Sequence, residues 1–180
     1  TSNHEDDFKT RSLTHILKAS KIMQTDVIKF GCIKSEIEDY MTTSIYINGI
    51  DLKKKIEQIE LPQFVNRGIN IKTSCYEGIS FFIAFHNQNH FLCKTISDYI
   101  YTDNRYTLYD YKCSGIPGDH SLTCKISMNN DMFIWHDFKN FSKIIPFDLD
   151  YQGLEFHFSI DQYREAINLI RNNKAENVFA

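Results

Sequence analysis

The sequence predicts an α+β fold: a mainly antiparallel sheet with several flanking helices, in a single domain. Three observations carry that expectation. Phe (14) and Tyr (10) are abundant while Gly is scarce (7), a balance that favours strands over helical bundles. Short alternating apolar runs recur between turn signals, and a few segments switch to helical spacing instead. The length of 180 residues suits one domain, burying about 70% of the surface its unfolded chain would expose.

Taken in order, residues 1–7 read as a flexible acidic tail. From Phe8 to Met23 the apolar positions Leu13, Ile16, Leu17, Ala19, Ile22 and Met23 recur as on an amphipathic helix. "DVIKFGCI" is a short strand, and Ser35 with Glu38 forms a capping-box pattern for a helical turn in "SEIEDYM". In "SIYINGIDLKKKIEQIELP", Ile45 and Ile47 alternate with polar residues as on a half-buried strand, and Asn48-Gly49 marks a turn. Asp51 then caps a helix with Leu52, Ile56 and Ile59 on one face, which Pro62 is expected to stop. "GISFFIAFH" reads as a buried strand, and "CKTISDYIY" fits a strand or a short helix. "RYTLYDYKC" alternates as a strand. "LTCKISM" and "MFIWHDF" form a hairpin about Asn129-Asn130-Asp131. "LEFHFS" places Leu154, Phe156 and Phe158 on one face, and Ser159 with Gln162 opens a final helix with the stripe Ile160, Tyr163, Ile167, Ile170. The resulting organisation is an N-terminal helical and strand extension over 8–43, a core α+β domain over 44–171 and a C-terminal tail over 172–180.

Composition narrows the function classes. A formal net charge of −3 lacks the basic excess of a nucleic-acid binder. Residues 1–128 hold 15 acidic and 15 basic residues, whereas 129–165 hold seven acids against Lys139, Lys143 and Arg164. That stretch is either a solvated face or a negative patch that meets a basic partner. Five cysteines (32, 75, 93, 113, 124) without a CxxC pair fit reduced thiols in a cytoplasmic protein. The opening "TSNHEDDFKTRS" lacks the apolar core of a signal peptide, and no apolar run reaches the length of a membrane span.

Each candidate site competes with a simpler reading. "CSGIPGDHSLTC" offers Cys113, His120 and Cys124, three loosely spaced ligands where zinc wants four in close pairs. Its Gly115, Pro117 and Gly118 suit a turn between strands. "HNQNH" spaces His86 and His90 four apart, but Asn87 stands where a metalloprotease needs its Glu base, so a polar loop is expected. His136 beside Asp137, with Glu155 and His157 on a nearby strand, could supply a general base and its orienter for a small hydrolase, metal-assisted or not. Neighbours in a regular strand face opposite ways, which sets His136 apart from Asp137. No catalytic, metal or cofactor residue is therefore assigned.

Two stretches together carry a family resemblance. "IYINGIDLKKKIEQIELP", with "MFIWHDFKNF" and "YQGLEFHFSIDQYREAI", resembles the ING-x-x-L opening and the W-x-x-F and F-x-F-x-x-x-Q-Y closing of a loose family of small bacterial proteins similar to toxin-neutralising immunity proteins. The match spans about residues 44–170. The resemblance implies a non-enzymatic, cofactor-free binding protein whose partner is a cognate protein toxin, while the charge and the lack of a long apolar run argue against nucleic acid and membrane as partners. The acid-rich stretch suits a nuclease toxin with a basic groove. Asp148, Asp150 and Glu155, in a loop and at a strand start, are the expected partner-binding residues. The alternatives are the hydrolase above and a structural or regulatory interaction domain.

Overall fold

The computed structural model describes residues 25–35, 39–69, 76–87, 90–93, 100–101, 103–111, 120–129, 131–142, 145 and 147–177. The expected helix over 8–23, most of the 113–124 motif, and Cys75 and Cys113 lie outside these residues. Strands β1 (Ile28–Lys34), β2 (Met41–Ile47) and β3 (Ile50–Asp51) form one antiparallel sheet. Helix α1 (Leu52–Val65) follows, then β4 (Tyr76–Gly78), a π-helical turn (Ile83–Asn87), a 3-10 turn (His90–Leu92) and β5 (Ile100–Tyr101). A meander closes the chain: β6 (Arg105–Tyr111), β7 (His120–Asn129), β8 (Met132–Ser142) and β9 (Phe156–Ser159), then helix α2 (Ile160–Asn177). The second sheet runs β4-β6-β7-β8-β9, with β5 pairing on the same edge of β6 as β4.

The two sheets meet at both ends, giving a curled half-barrel. At one end Thr42 bridges Ser80, and the Thr43 N–H donates to the Ile79 carbonyl at 3.0 Å. This approach requires Gly78, because a Cβ there would lie 1.8 Å from the Thr43 carbonyl oxygen. At the other end the Asp26 N–H donates to the His157 carbonyl, and the His157 N–H donates to the Asp26 carboxylate at 2.8 Å. Asn48 closes the β2–β3 turn at φ 54°, with Gly49 at 78°. Its side chain accepts from the Val27 N–H and donates to Asp26.

Aromatic side chains fill the space between the sheets and α2. Trp135 is fully buried, and its indole N–H donates to the Tyr163 hydroxyl at 3.1 Å, which itself donates to the Phe91 carbonyl. Phe91 stacks on Trp135, and Phe30 meets Phe85, Phe91 and Tyr163. Such pairs each add about 1 kcal/mol beyond the area they bury. Gln162 fastens α2 to β1 by accepting from the Ile28 N–H and donating to the Ile28 carbonyl. The Ser159 hydroxyl caps the helix by accepting from the Gln162 N–H, so this capping box is only half formed.

Several expectations are corrected. Pro62 lies inside α1, which continues to Val65. Proline removes one backbone bond, but burial of Phe64 and the side-chain bonds of Gln63 hold the last turn. "GISFFIAFH" is helical from Phe81 rather than a strand. Phe81, Ala84 and Phe85 are buried while Phe82 is exposed, the i, i+3, i+4 pattern of a helix face. "HNQNH" is not wholly a polar loop either: His86 and Asn87 end the π-helical turn, and His90 opens the 3-10 turn with its side chain in the core. Met41 begins β2 rather than ending a helical turn, and the Ser35 N–H donates to the Tyr40 carbonyl across the connection. The boundary placed between residues 43 and 44 falls inside β2, and α2 runs into the expected tail as far as Asn177. Among the described residues, no helix is long and apolar enough to cross a membrane.

Candidate functional site

The segment from Phe147 to Glu155, between β8 and β9, is fastened from beneath by α1. The apolar stripe of α1 runs Leu52, Ile56, Glu60, Phe64 at four-residue intervals, and all four are buried. The third is a carboxylate. Glu60 Oε1 accepts from the Tyr76 hydroxyl at 2.8 Å and from the Tyr151 hydroxyl at 2.5 Å, and the Asn140 amide donates to the Tyr76 oxygen. Burial raises the Glu60 pKa, and the donors from Tyr151, Tyr76 and Asn140 offset only part of that rise. Burial also pushes both tyrosines well up, so they remain neutral donors. This network ties α1, β4, β8 and the loop together.

A second grip lies one turn further along α1. The Gln63 amide donates to the Asp150 carbonyl at 2.7 Å, and its oxygen accepts from the Asp150 N–H at 2.8 Å. The Asp150 carboxylate accepts from the Gln152 N–H at 2.7 Å, and the Leu154 N–H donates to the Tyr151 carbonyl, closing a tight turn. Gln152 and Gly153 sit at φ 54° and 68°. Phe147 lies against Phe64, with the Arg67 guanidinium 4.0 Å above its ring. The loop backbone is thus fixed while Asp148 and Asp150 remain exposed.

The expected partner-binding residues therefore fall into two settings. Asp148 and Asp150 stand on this anchored loop. Glu155 is exposed at the start of β9, where its carboxylate binds His157 Nε2. Arg67 and Lys55 lie alongside, Lys55 reaching over Phe156 at 5.9 Å, so the local field is acidic but not unopposed.

The residues of the hydrolase reading are partly brought together. Trp135 pairs with Phe156 and Ile134 with His157, which turns His136, Glu155 and His157 to the outer face of the sheet. Asp137 does not follow strand alternation, because the β7–β8 register shifts there and Asp137 takes φ 52°. This bulge aims its carboxylate at Arg105 and at Lys125, the latter 3.1 Å away. The Arg105 hydrogen bond, with help from Lys125, lowers the Asp137 pKa to about 2. Asp137 is thus the counter-ion of two cations rather than an orienter for His136.

Of the metal candidates, His90 has its Nε2 bound to the Thr107 carbonyl at 2.9 Å, and burial lowers its pKa to about 4. It is a neutral core histidine. Cys124 is buried and its thiol is pushed well up by burial. Cys32, Cys93 and Cys124 are free thiols. Among the described residues, no three His, Cys, Asp or Glu side chains converge as metal ligands.

Sequence reasoning missed Glu60, Gln63, Tyr76, Asn140 and Tyr151. One signal was readable: Glu60 continues the Leu52–Ile56 row, and a carboxylate on a buried stripe needs donors facing it. The donors themselves come from 16 and 91 residues away, a separation that no local pattern encodes. Comparison with protein-family models, with curated proteins and with solved structures finds no match to this chain.

Proposed function

We propose that the protein is a binding protein that neutralises a cognate toxin by covering its active site, in the manner of an immunity protein. The observation that supports this reading is the anchored acidic loop. Two exposed carboxylates are carried on a backbone fixed by Tyr151 on Glu60 and by the paired Gln63–Asp150 bonds. A loop already held in one conformation loses little entropy on binding. Exposed acids steer a basic partner, such as the substrate groove of a nuclease, and speed capture. Binding residues are disproportionately carried on loops positioned by a rigid scaffold, as these two acids are.

The test is the triple variant Asp148→Asn, Asp150→Asn, Glu155→Gln, examined with the proteins encoded beside this one. Each amide keeps an acceptor oxygen, so the Gln152 and His157 contacts have a partner and the fold is unaffected. The association rate at low salt is expected to fall about tenfold and to lose most of its salt dependence, with the melting temperature nearly unchanged. An unaltered association rate removes the loop from the interface. If no neighbouring product binds the wild-type chain, the inhibitor reading fails.

A further inference from the structure

Helix α2 and the turn end of the β7–β8 hairpin border a cleft of about 390 Å³. Its floor and walls are apolar: Leu92 from the 3-10 turn, Ile126 from β7, Phe133 from β8 and Ile167 from α2. Met128, 63% exposed, stands at the mouth. The Cys93 thiol adds to the wall, donating to the Ile126 carbonyl at 3.9 Å and kept neutral by burial. The back is rigid, because Phe133 stacks on Tyr163 at 4.3 Å and Tyr163 is locked between Trp135 and the Phe91 carbonyl.

Two polar side chains face this apolar space from one side of α2. Arg164 and Asn168 are separated by one helical turn and both line the cleft. Neither makes a hydrogen bond or ion pair among the described residues. Asp161, one turn earlier on the same helix face, does not pair with Arg164, and Glu165 lines the separate groove against β1. A guanidinium without a counter-ion, beside an amide donor and above an apolar floor, complements one kind of ligand: an anionic head on an apolar tail.

We propose that this cleft binds a small amphiphilic carboxylate, with its tail against Leu92, Ile126, Phe133 and Ile167. Its head is held by Arg164, with Asn168 as second donor. At roughly 30 Å³ per small group, the volume admits about a dozen non-hydrogen atoms, the scale of a medium-chain fatty acid. One planar guanidinium and one amide suit the two coplanar oxygens of a carboxylate, whereas a phosphate would call for a second cation, and none lines the cleft among the described residues.

The test is a titration of the isotope-labelled full chain with sodium octanoate below its aggregation threshold, followed by amide shifts and calorimetry. Parallel titrations use octanol, which lacks the charge, and sodium acetate, which lacks the tail. Saturable octanoate binding is expected, with shifts confined to residues around 92–93, 126–133 and 164–168. Acetate should not bind, and octanol should bind several-fold more weakly. Arg164→Leu, at an exposed position, should weaken octanoate about tenfold and leave octanol unchanged. Met128→Gln should weaken both. Lack of saturable octanoate binding overturns the proposal. So do shifts centred elsewhere, equal affinity for octanol, or equal octanoate affinity in Arg164→Leu.

Discussion

Replacing Glu60 separates what its shape contributes from what its charge contributes. Glu60→Ala leaves two buried hydroxyls, on Tyr76 and Tyr151, without their acceptor. Each orphaned donor costs about 1–2 kcal/mol, and the void adds to that, so a loss of about 3–4 kcal/mol is expected. Glu60→Gln keeps an oxygen in the same place and never carries charge. Because burial raises the Glu60 pKa above 4.5, the folded protein holds this proton more tightly than the unfolded chain does. The stability tied to that proton is complete below pH 4.5 and is lost as pH rises through the raised folded value. Glu60→Gln should therefore match the wild type in acid and equal or exceed it at neutral and alkaline pH. The assay is urea denaturation of all three proteins across a pH series, with slopes checked for constancy. Hydrogen exchange at the Asp150 and Gln152 amides should quicken in Glu60→Ala alone. If Glu60→Gln matches the wild type in acid but is as unstable as Glu60→Ala at neutral pH, the ionised carboxylate itself is required, and the reasoning from burial is wrong.

Other outcomes follow from single contacts. Gly78→Ala drives a methyl into the Thr43 carbonyl and should destabilise by about 3 kcal/mol or abolish soluble expression, checked by denaturation. His90, fully buried with a pKa lowered to about 4, is neutral when folded, so stability should fall as pH drops from 6.5 towards 4, by about 3 kcal/mol. Its imidazole resonances should show no titration near pH 6.5 in the folded state; a normal titration there refutes the assignment. Asp137, held down to about 2 chiefly by Arg105, contributes stability that is present above pH 3.8 and lost as pH falls through about 2. Asp137→Asn should flatten that acid limb in a pH-dependent melting series, with a cost of about 1 kcal/mol or less at neutral pH because the carboxylate is half exposed.

How far the sequence revealed this depended on the range of the interaction. The Asn48-Gly49 turn, the Asp51 cap, the strand pairs about residue 130 and the Tyr163–Ile167 stripe are local, and each was legible from spacing alone. The segment at 79–87 failed for a physical reason. A dense apolar run satisfies either period, and only the exposed Phe82 between buried Phe81 and Ala84 distinguishes helix from strand. Asp137 stands apart from His136 as expected, but its pairing with Arg105 and Lys125 is not legible, because a bulge interrupts the strand alternation there. Asp148 and Asp150 were picked out as exposed loop acids. What fixes them in place was not visible, because Glu60 and Tyr151 meet across 91 residues.

The persistence of α1 through Pro62 finds its explanation in the same loop. Glu60, Gln63 and Phe64 fall at i, i+3 and i+4, and Arg67 follows at i+7 just past the helix end, so all four share one face. Together they hold three parts of the loop: Glu60 binds the Tyr151 hydroxyl, Gln63 both backbone groups of Asp150, and Phe64 and Arg67 the ring of Phe147. Three of these four lie after the proline. A helix that stopped at Pro62 would keep the tyrosine contact and lose the other three. The missing backbone bond at Pro62 costs less than the surrender of Phe64 burial and the paired Gln63 bonds, each contributing about 1 kcal/mol or more. The fold therefore retains a helical turn that the local sequence disfavours, and that turn fixes Asp150 beside Asp148.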